Sequence, residues 1–177
     1  QIALSINMMS VTSSALTILF LFWSISHLIK GFVNREKSIS IIEAIKIFGS
    51  SILGSLTFTF TDSFWFNAVE AEVYAMASLI LSLLFWLGLK WVENIGSERG
   101  DKWLVLICFV IGLSFGVHFM GLLAIPAIGL LYYFKKFTFN LGSFLLANIV
   151  SISILLFIFK LLLPSTLSIF GYVEVFF

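Results

Sequence analysis

Long apolar stretches separated by short polar intervals run the length of the chain, and their spacing fits a bilayer. The first covers about Ile6 to Ile29 and is followed by Lys30, Arg35 and Lys37. A second, about Ile45 to Phe60, starts beside Lys46 and carries Gly49, Gly54 and several Ser and Thr. Small residues of this kind let membrane helices approach closely, which places the segment inside a bundle. After the break Thr61-Asp62-Ser63, a third segment spans about Val73 to Trp91, contains Lys90 and leads into the polar loop Glu93 to Lys102. The fourth runs from Trp103 to about His118. The fifth is short, roughly Leu122 to Phe134, with Pro126 inside and Lys135-Lys136 at its end. The sixth covers about Phe144 to Leu163, and Pro164 is expected to stop it. At roughly 20 apolar residues per crossing, the pattern predicts an all-α, polytopic transmembrane helical bundle of about six segments, organised as a single transmembrane domain over residues 1–177. Gly112, Gly116, Gly121 and Pro126 weaken regular helix, so the fourth and fifth segments form either a tight pair or one broken hairpin.

Composition agrees with this pattern and removes several alternatives. Of the 177 residues, 60% are hydrophobic and 11% charged, and the mean hydropathy is +1.13, so a water-soluble surface could not be covered with polar groups. The partner of these helices is therefore the lipid bilayer. Cys108 has no second cysteine to pair with, which excludes a disulfide framework and a cysteine metal site. A net charge of +1, with Lys and Arg confined to short connections, gives no basic face for nucleic acid. No HExxH, CxxC or phosphate-cradling loop occurs. The start Gln1-Ile2-Ala3-Leu4 lacks an initiator Met and a basic region before a cleavage site, so it reads as the interior of a longer protein rather than as a signal peptide.

Orientation follows from the bias of Lys and Arg toward cytoplasmic connections. Lys30, Arg35, Lys37 and Lys46 fall at one connection, Lys90, Arg99 and Lys102 at the next basic one, and Lys135 and Lys136 at the last. Six alternating crossings put all three on one side, the cytoplasmic side, and Lys160 can snorkel from near the outer end of the sixth segment. The outer connections then hold Asp62, Trp65, Asn67, Glu70 and Glu72, followed by His118 and finally Glu174.

Three carboxylates at one membrane boundary of so apolar a chain call for a reason. One is helix capping, with Asn67 as N-cap and Glu70 at the third helical position of the segment that follows. That accounts less well for Glu72, which lies about 200° around a helix from Glu70. Glu70 and Tyr74, four apart, share a face and could flank one ligand. Trp65 fits an interfacial aromatic belt. A lone His at a helix end is commonly a hydrogen-bonded structural group. His118, however, emerges on the side of Asp62, Glu70 and Glu72, whereas His27 lies at the opposite end and reads as structural.

The block from Asp62 through Trp65, Asn67, Glu70, Glu72 and Tyr74 to Ala75, with Gly112-Leu113-Ser114, Gly116-Val117-His118 and Leu123-Ala124-Ile125-Pro126-Ala127, closely resembles a bacterial family of multi-pass membrane proteins common in Bacteroidetes. That family is similar to an animal transmembrane protein O-mannosyltransferase, and both resemble the GT-C glycosyltransferase superfamily. The resemblance extends weakly to Asn7-Met8-Met9-Ser10. It implies a GT-C-like fragment of a glycosyltransferase of the bacterial inner membrane, using a polyprenyl-phosphate sugar donor and an acceptor protein or glycan on the periplasmic face. Family members carry, ahead of this region, a further transmembrane helix and an outer loop with an acidic motif, which this chain begins too late to include. Glu70, Glu72 and His118 are the candidate catalytic residues, and Asp62, Trp65, Asn67 and Tyr74 the candidate substrate-binding ones. No metal ligands are assigned, and a divalent cation is left open as cofactor. A transporter or flippase is the main alternative, although such proteins usually hold their ionisable groups near the midplane. A structural subunit of a membrane complex is a third reading.

Overall fold

The computed structural model describes residues 2–32 and 39–176; Gln1, Arg35 and Lys37 lie outside the described residues. Among those described, the chain is helical with no strand. It divides into two compact units, Gln1–Gly121 and Leu122–Phe177.

The first unit contains α1 (Ile2–Phe32), α2 (Ile41–Thr59), the short α3 (Asp62–Val69), α4 (Tyr74–Glu93) and α5 (Gly100–Ser114). The buried face of α1 is lined with small hydroxyl residues, while many of its large apolar side chains face outward. On α1, Ser10, Ser14, Thr17 and Ser24 are buried at steps of four, three and seven residues, one face of a 3.6-residue helix. Leu16, Leu19 and Leu28 on the same helix are exposed. That inversion is expected where lipid replaces water, since helices then associate through close packing rather than apolar burial. α1 packs on both α4 and α2. α4 contributes the buried positions Ala77, Leu84, Gly88 and Trp91, again on one face. Against α2, the Ser26 hydroxyl donates to Ser51 Oγ at 2.9 Å, and Ser51 Oγ donates to the Ile47 carbonyl at 2.6 Å. A side-chain carbon at Gly54 would lie 3.1 Å from Ile25 Cδ1, so the glycine admits that contact.

The start of α2 carries a capping box of the Ser-x-x-Glu type. Ser40 N–H donates to Glu43 Oε2 at 2.8 Å, and Glu43 N–H donates to Ser40 Oγ at 3.3 Å. The cap expected at Asn67 and Glu70 does not form. Asn67 lies inside α3, Glu70 is the extended residue that ends it, and α4 begins only after Val73. The physical reason is that Asp62 to Val69 already make a helix, anchored by buried Phe64, whose ring lies 4.8 Å from Phe58.

In the second unit, α6 (Ala124–Lys136) and α7 (Leu141–Phe157) pack together. A side-chain carbon at Gly129 would collide with Ser151 Oγ, so the glycine permits the approach. The turn between them is tied by the buried Tyr133, whose hydroxyl lies 2.7 Å from Ser143 Oγ and accepts the Asn140 N–H at 3.2 Å. Asn140 then caps α7 by accepting from Gly142 N–H at 2.9 Å. Pro164 does not stop the last segment. A π turn over Ile158–Leu162 precedes α8 (Leu163–Phe176), and the helical stretch continues through the proline. The Leu163 N–H bonds the Ile158 carbonyl, five residues back, which shifts the register where the proline ring would otherwise meet the carbonyl four residues before it.

Among the described residues, five helical stretches are long and apolar enough to cross a membrane: Ala3–Phe32, Ile41–Thr59, Tyr74–Glu93, Phe119–Lys136 and Leu141–Val175. The fourth expected segment forms α5, whose 15 residues rise about 22 Å. It nevertheless runs back along α4. Trp103 near its start lies 6.4 Å from Trp86, and His118, just past its end, lies 5.5 Å from Tyr74 at the beginning of α4.

Candidate functional site

The α4–α5 hairpin carries His118 to the end of the first unit that also holds α3 and the bend before Tyr74. The chain leaves α5 through backbone bonds from Val117 N–H and His118 N–H to the Ser114 carbonyl, at 3.0 and 2.8 Å. It then folds back so closely that a side-chain carbon at Gly121 would collide with Ser114 Oγ. Half-buried His118 is held on both sides of its ring. Its plane is tilted by 52° against Tyr74, and its Nδ1 accepts the Met120 N–H at 3.1 Å. With Nδ1 as acceptor the proton of the neutral ring sits on Nε2, so the imidazole presents an N–H donor.

The other expected site residues lie in α3 and in the bend that follows it. Glu70 and Glu72 occupy the exposed bend between α3 and α4. Asp62 is exposed in the first turn of α3, where the helix dipole favours an acid. Asn67 is half-buried within α3, and Trp65 stacks on Phe60 with ring centroids 5.9 Å apart. Tyr74 is therefore the residue of this block that meets His118 directly. Among the described residues no three His, Cys, Asp or Glu side chains gather as a metal-holding group.

A second polar cluster, which the sequence reading passed over, lies at the other end of the same unit. A cleft of about 430 Å³ opens between the last turns of α1, the early turns of α2 and the last turns of α4. Lys90 Nζ bonds Glu93 Oε2 at 2.9 Å, and His27 Nδ1 lies 3.9 Å from the same oxygen. Lys30 Nζ sits 5.5 Å from the Phe48 ring centre, and Lys90 Nζ 5.9 Å from that of Trp86. The signal was present as two matching stripes, Trp23-His27-Lys30 and Trp86-Lys90-Glu93, each spaced at four and three residues. His27, read as structural, is a lining residue of this cleft.

Over residues 1–141 the chain matches the family described as protein O-mannosyl-transferase TMEM260 N-terminal domain. The chain belongs to that family. The match takes in the whole first unit, including the Tyr74–His118 pair and the basic-end cleft, and continues through α6 to the start of α7. No curated protein and no solved structure matches the chain. Membership of the TMEM260 N-terminal-domain family accords with the membrane-spanning helices seen here.

Proposed function

We propose that this chain is part of a membrane glycosyltransferase of the GT-C type, which moves a sugar from a polyprenyl-phosphate donor to a hydroxyl of a protein or glycan on the non-cytoplasmic face. The observation that carries the reading is the family match over residues 1–141, together with the meeting of Tyr74 and His118 at the end away from Lys30 and Lys90. The positive-inside bias makes that end the outer one, the periplasmic face of an inner membrane. In the reaction the bond from the anomeric carbon to the donor phosphate oxygen breaks as a bond to the acceptor oxygen forms. The acceptor proton passes to a carboxylate, for which Glu72 and Glu70 are the candidates in this chain. Polyprenyl phosphate departs with the electron pair, and the His118 Nε2–H donates a hydrogen bond to a phosphate oxygen as negative charge collects there. Asp62, Trp65, Asn67 and Tyr74 line the approach of sugar and acceptor, and the apolar tail of the donor lies along α2, α4 and α5.

The test is sugar transfer by the full chain in proteoliposomes, using a radiolabelled polyprenyl-phosphate sugar and a peptide acceptor. His118→Ala is expected to lower the rate by about 10²-fold, the scale of losing one donor to developing charge. Unchanged transfer in His118→Ala, Glu70→Gln and Glu72→Gln would remove this chain's residues from the chemistry. Movement of the labelled lipid across the bilayer without transfer to any acceptor would replace the enzyme by a flippase.

A further inference from the structure

At the basic end of the first unit, we infer a binding site for the headgroup of an anionic phospholipid, formed by Lys30, Lys90 and His27 over an aromatic wall. The inference is independent of the proposed sugar transfer, whose residues lie at the opposite end of α4. Cations in the last turns of α1 and α4 also offset the negative helix ends there, which accounts for the positions of Lys30 and Lys90. It does not account for a cleft of about 430 Å³ that both lysines line together with Trp23, Phe22, Phe48 and Trp86. That volume falls in the range of small-molecule sites.

The charges select the ligand. Among the described lining residues the two lysines outnumber the single carboxylate, Glu93, so the cleft favours an anionic group such as a phosphodiester. Glu93 already shares one oxygen with Lys90 Nζ at 2.9 Å and faces His27 at 3.9 Å, so it orients both nitrogen groups along one side of the opening. Phe22 and Trp23 precede Lys30 on α1 and Trp86 precedes Lys90 on α4, which puts these rings farther from the basic helix ends, the order of glycerol and upper acyl chain beneath a phosphate. Basic pockets between membrane helices recognise lipid headgroups by this chemistry, and Trp favours the same interfacial depth. A free phosphate ester would satisfy the lysines but leave the aromatic wall without a partner.

The experiment is native mass spectrometry of the purified full chain in detergent, titrated with phosphatidylglycerol, with phosphatidylcholine of the same acyl chains, and with glycerol 3-phosphate. One saturable phosphatidylglycerol adduct is expected, with affinity about tenfold above phosphatidylcholine, the order that ammonium groups contribute at an anionic lipid surface. The Lys30→Gln/Lys90→Gln pair should lose that preference, Lys30→Arg/Lys90→Arg should keep it, and Lys46→Gln on the exposed face of α2 should leave it unchanged. Equal affinity for the two lipids overturns the inference with no variant needed. So does displacement of the lipid by glycerol 3-phosphate at equal concentration, which would mark a site for a free phosphate ester, or retention of the preference in the folded Gln pair.

Discussion

The Tyr74 and His118 rings lie 5.5 Å apart, one at the first residue of α4 and the other four residues past the end of α5. Their contact joins the start of one helix to the exit of the next. With Met120 N–H fixing Nδ1, it leaves Nε2 as the ring's remaining hydrogen-bonding atom. If Tyr74 acts by holding the imidazole, Tyr74→Phe should keep the transfer rate, while Tyr74→Ala should lower it on the order of tenfold with the helical content intact, as a misplaced catalytic group does. Equal rates in both variants would leave Tyr74 without a positioning role.

Glu70 gives a sharp test of local structure. As the extended residue ending α3 it has its own N–H bonded to the Phe66 carbonyl at 3.0 Å, and its exposed side chain caps nothing. Glu70→Ala should therefore shift unfolding free energy by no more than about 0.5 kcal/mol, the range for exposed positions away from special features. A loss near 1 kcal/mol in thermal or denaturant unfolding would restore a capping role.

How far the sequence could be read depends on what each element rests on. The apolar segments were legible because lipid demands long unbroken runs, and α2 and α4 begin or end within a few residues of expectation. α3 was not legible as a helix. Its start falls in the break Thr61-Asp62-Ser63 and Asn67 reads as a cap for the next helix, and the packing of Phe64 on Phe58 shows why Asp62–Val69 are helical instead. The Ser40–Glu43 box has the standard signature, yet Asn67–Glu70 offered a similar one, and propensity alone could not rank them. Pro164 misled because a proline's usual effect assumes α register, and the π turn before it changes that register. The basic-end cleft needed knowledge that α1 and α4 pack side by side, which no single-helix pattern contains.

Gly121 should tolerate no side chain. Its missing Cβ is what lets the chain pass over Ser114, so Gly121→Ala is expected to cost about 1–3 kcal/mol, as overpacking does. Ser114→Gly removes the colliding atoms and should recover part of that loss when combined with it. Melting of the single and double variants in detergent reads the difference, and purely additive losses would show that the two residues do not collide.

The Ser26–Ser51 bond ties α1 to α2 in the interior. Either serine changed to alanine should cost about 0.6 kcal/mol, the average for polar contacts between membrane helices, and the double change should cost less than the sum. A zero coupling energy in this double-mutant cycle would assign the buried serines to close packing alone.

The orientation of the first unit rests on α5 crossing the membrane, because that is what separates His118 from the loop after α4. α5 is only 15 residues long, but the ring contacts Trp86–Trp103 and Tyr74–His118 show it following α4 from one end to the other, and α4 is itself long enough to cross. The loop after Glu93 should then lie on the opposite side of the membrane from both the α3 region and residue 119. Cysteine labelling can decide this once Cys108, which is exposed on α5, has been replaced by alanine. An impermeant thiol reagent added to intact cells should reach Ser63→Cys and Phe119→Cys, and reach Glu98→Cys only after the membrane is opened. Phe119 is 44% exposed, so poor access would not by itself explain a failure to label. Labelling of residue 119 together with 98 would mean that α5 turns back within the bilayer. Labelling of 98 from outside, with 63 and 119 protected, would invert the unit and put the Tyr74–His118 pair on the cytoplasmic face, where a non-cytoplasmic sugar donor could not reach it.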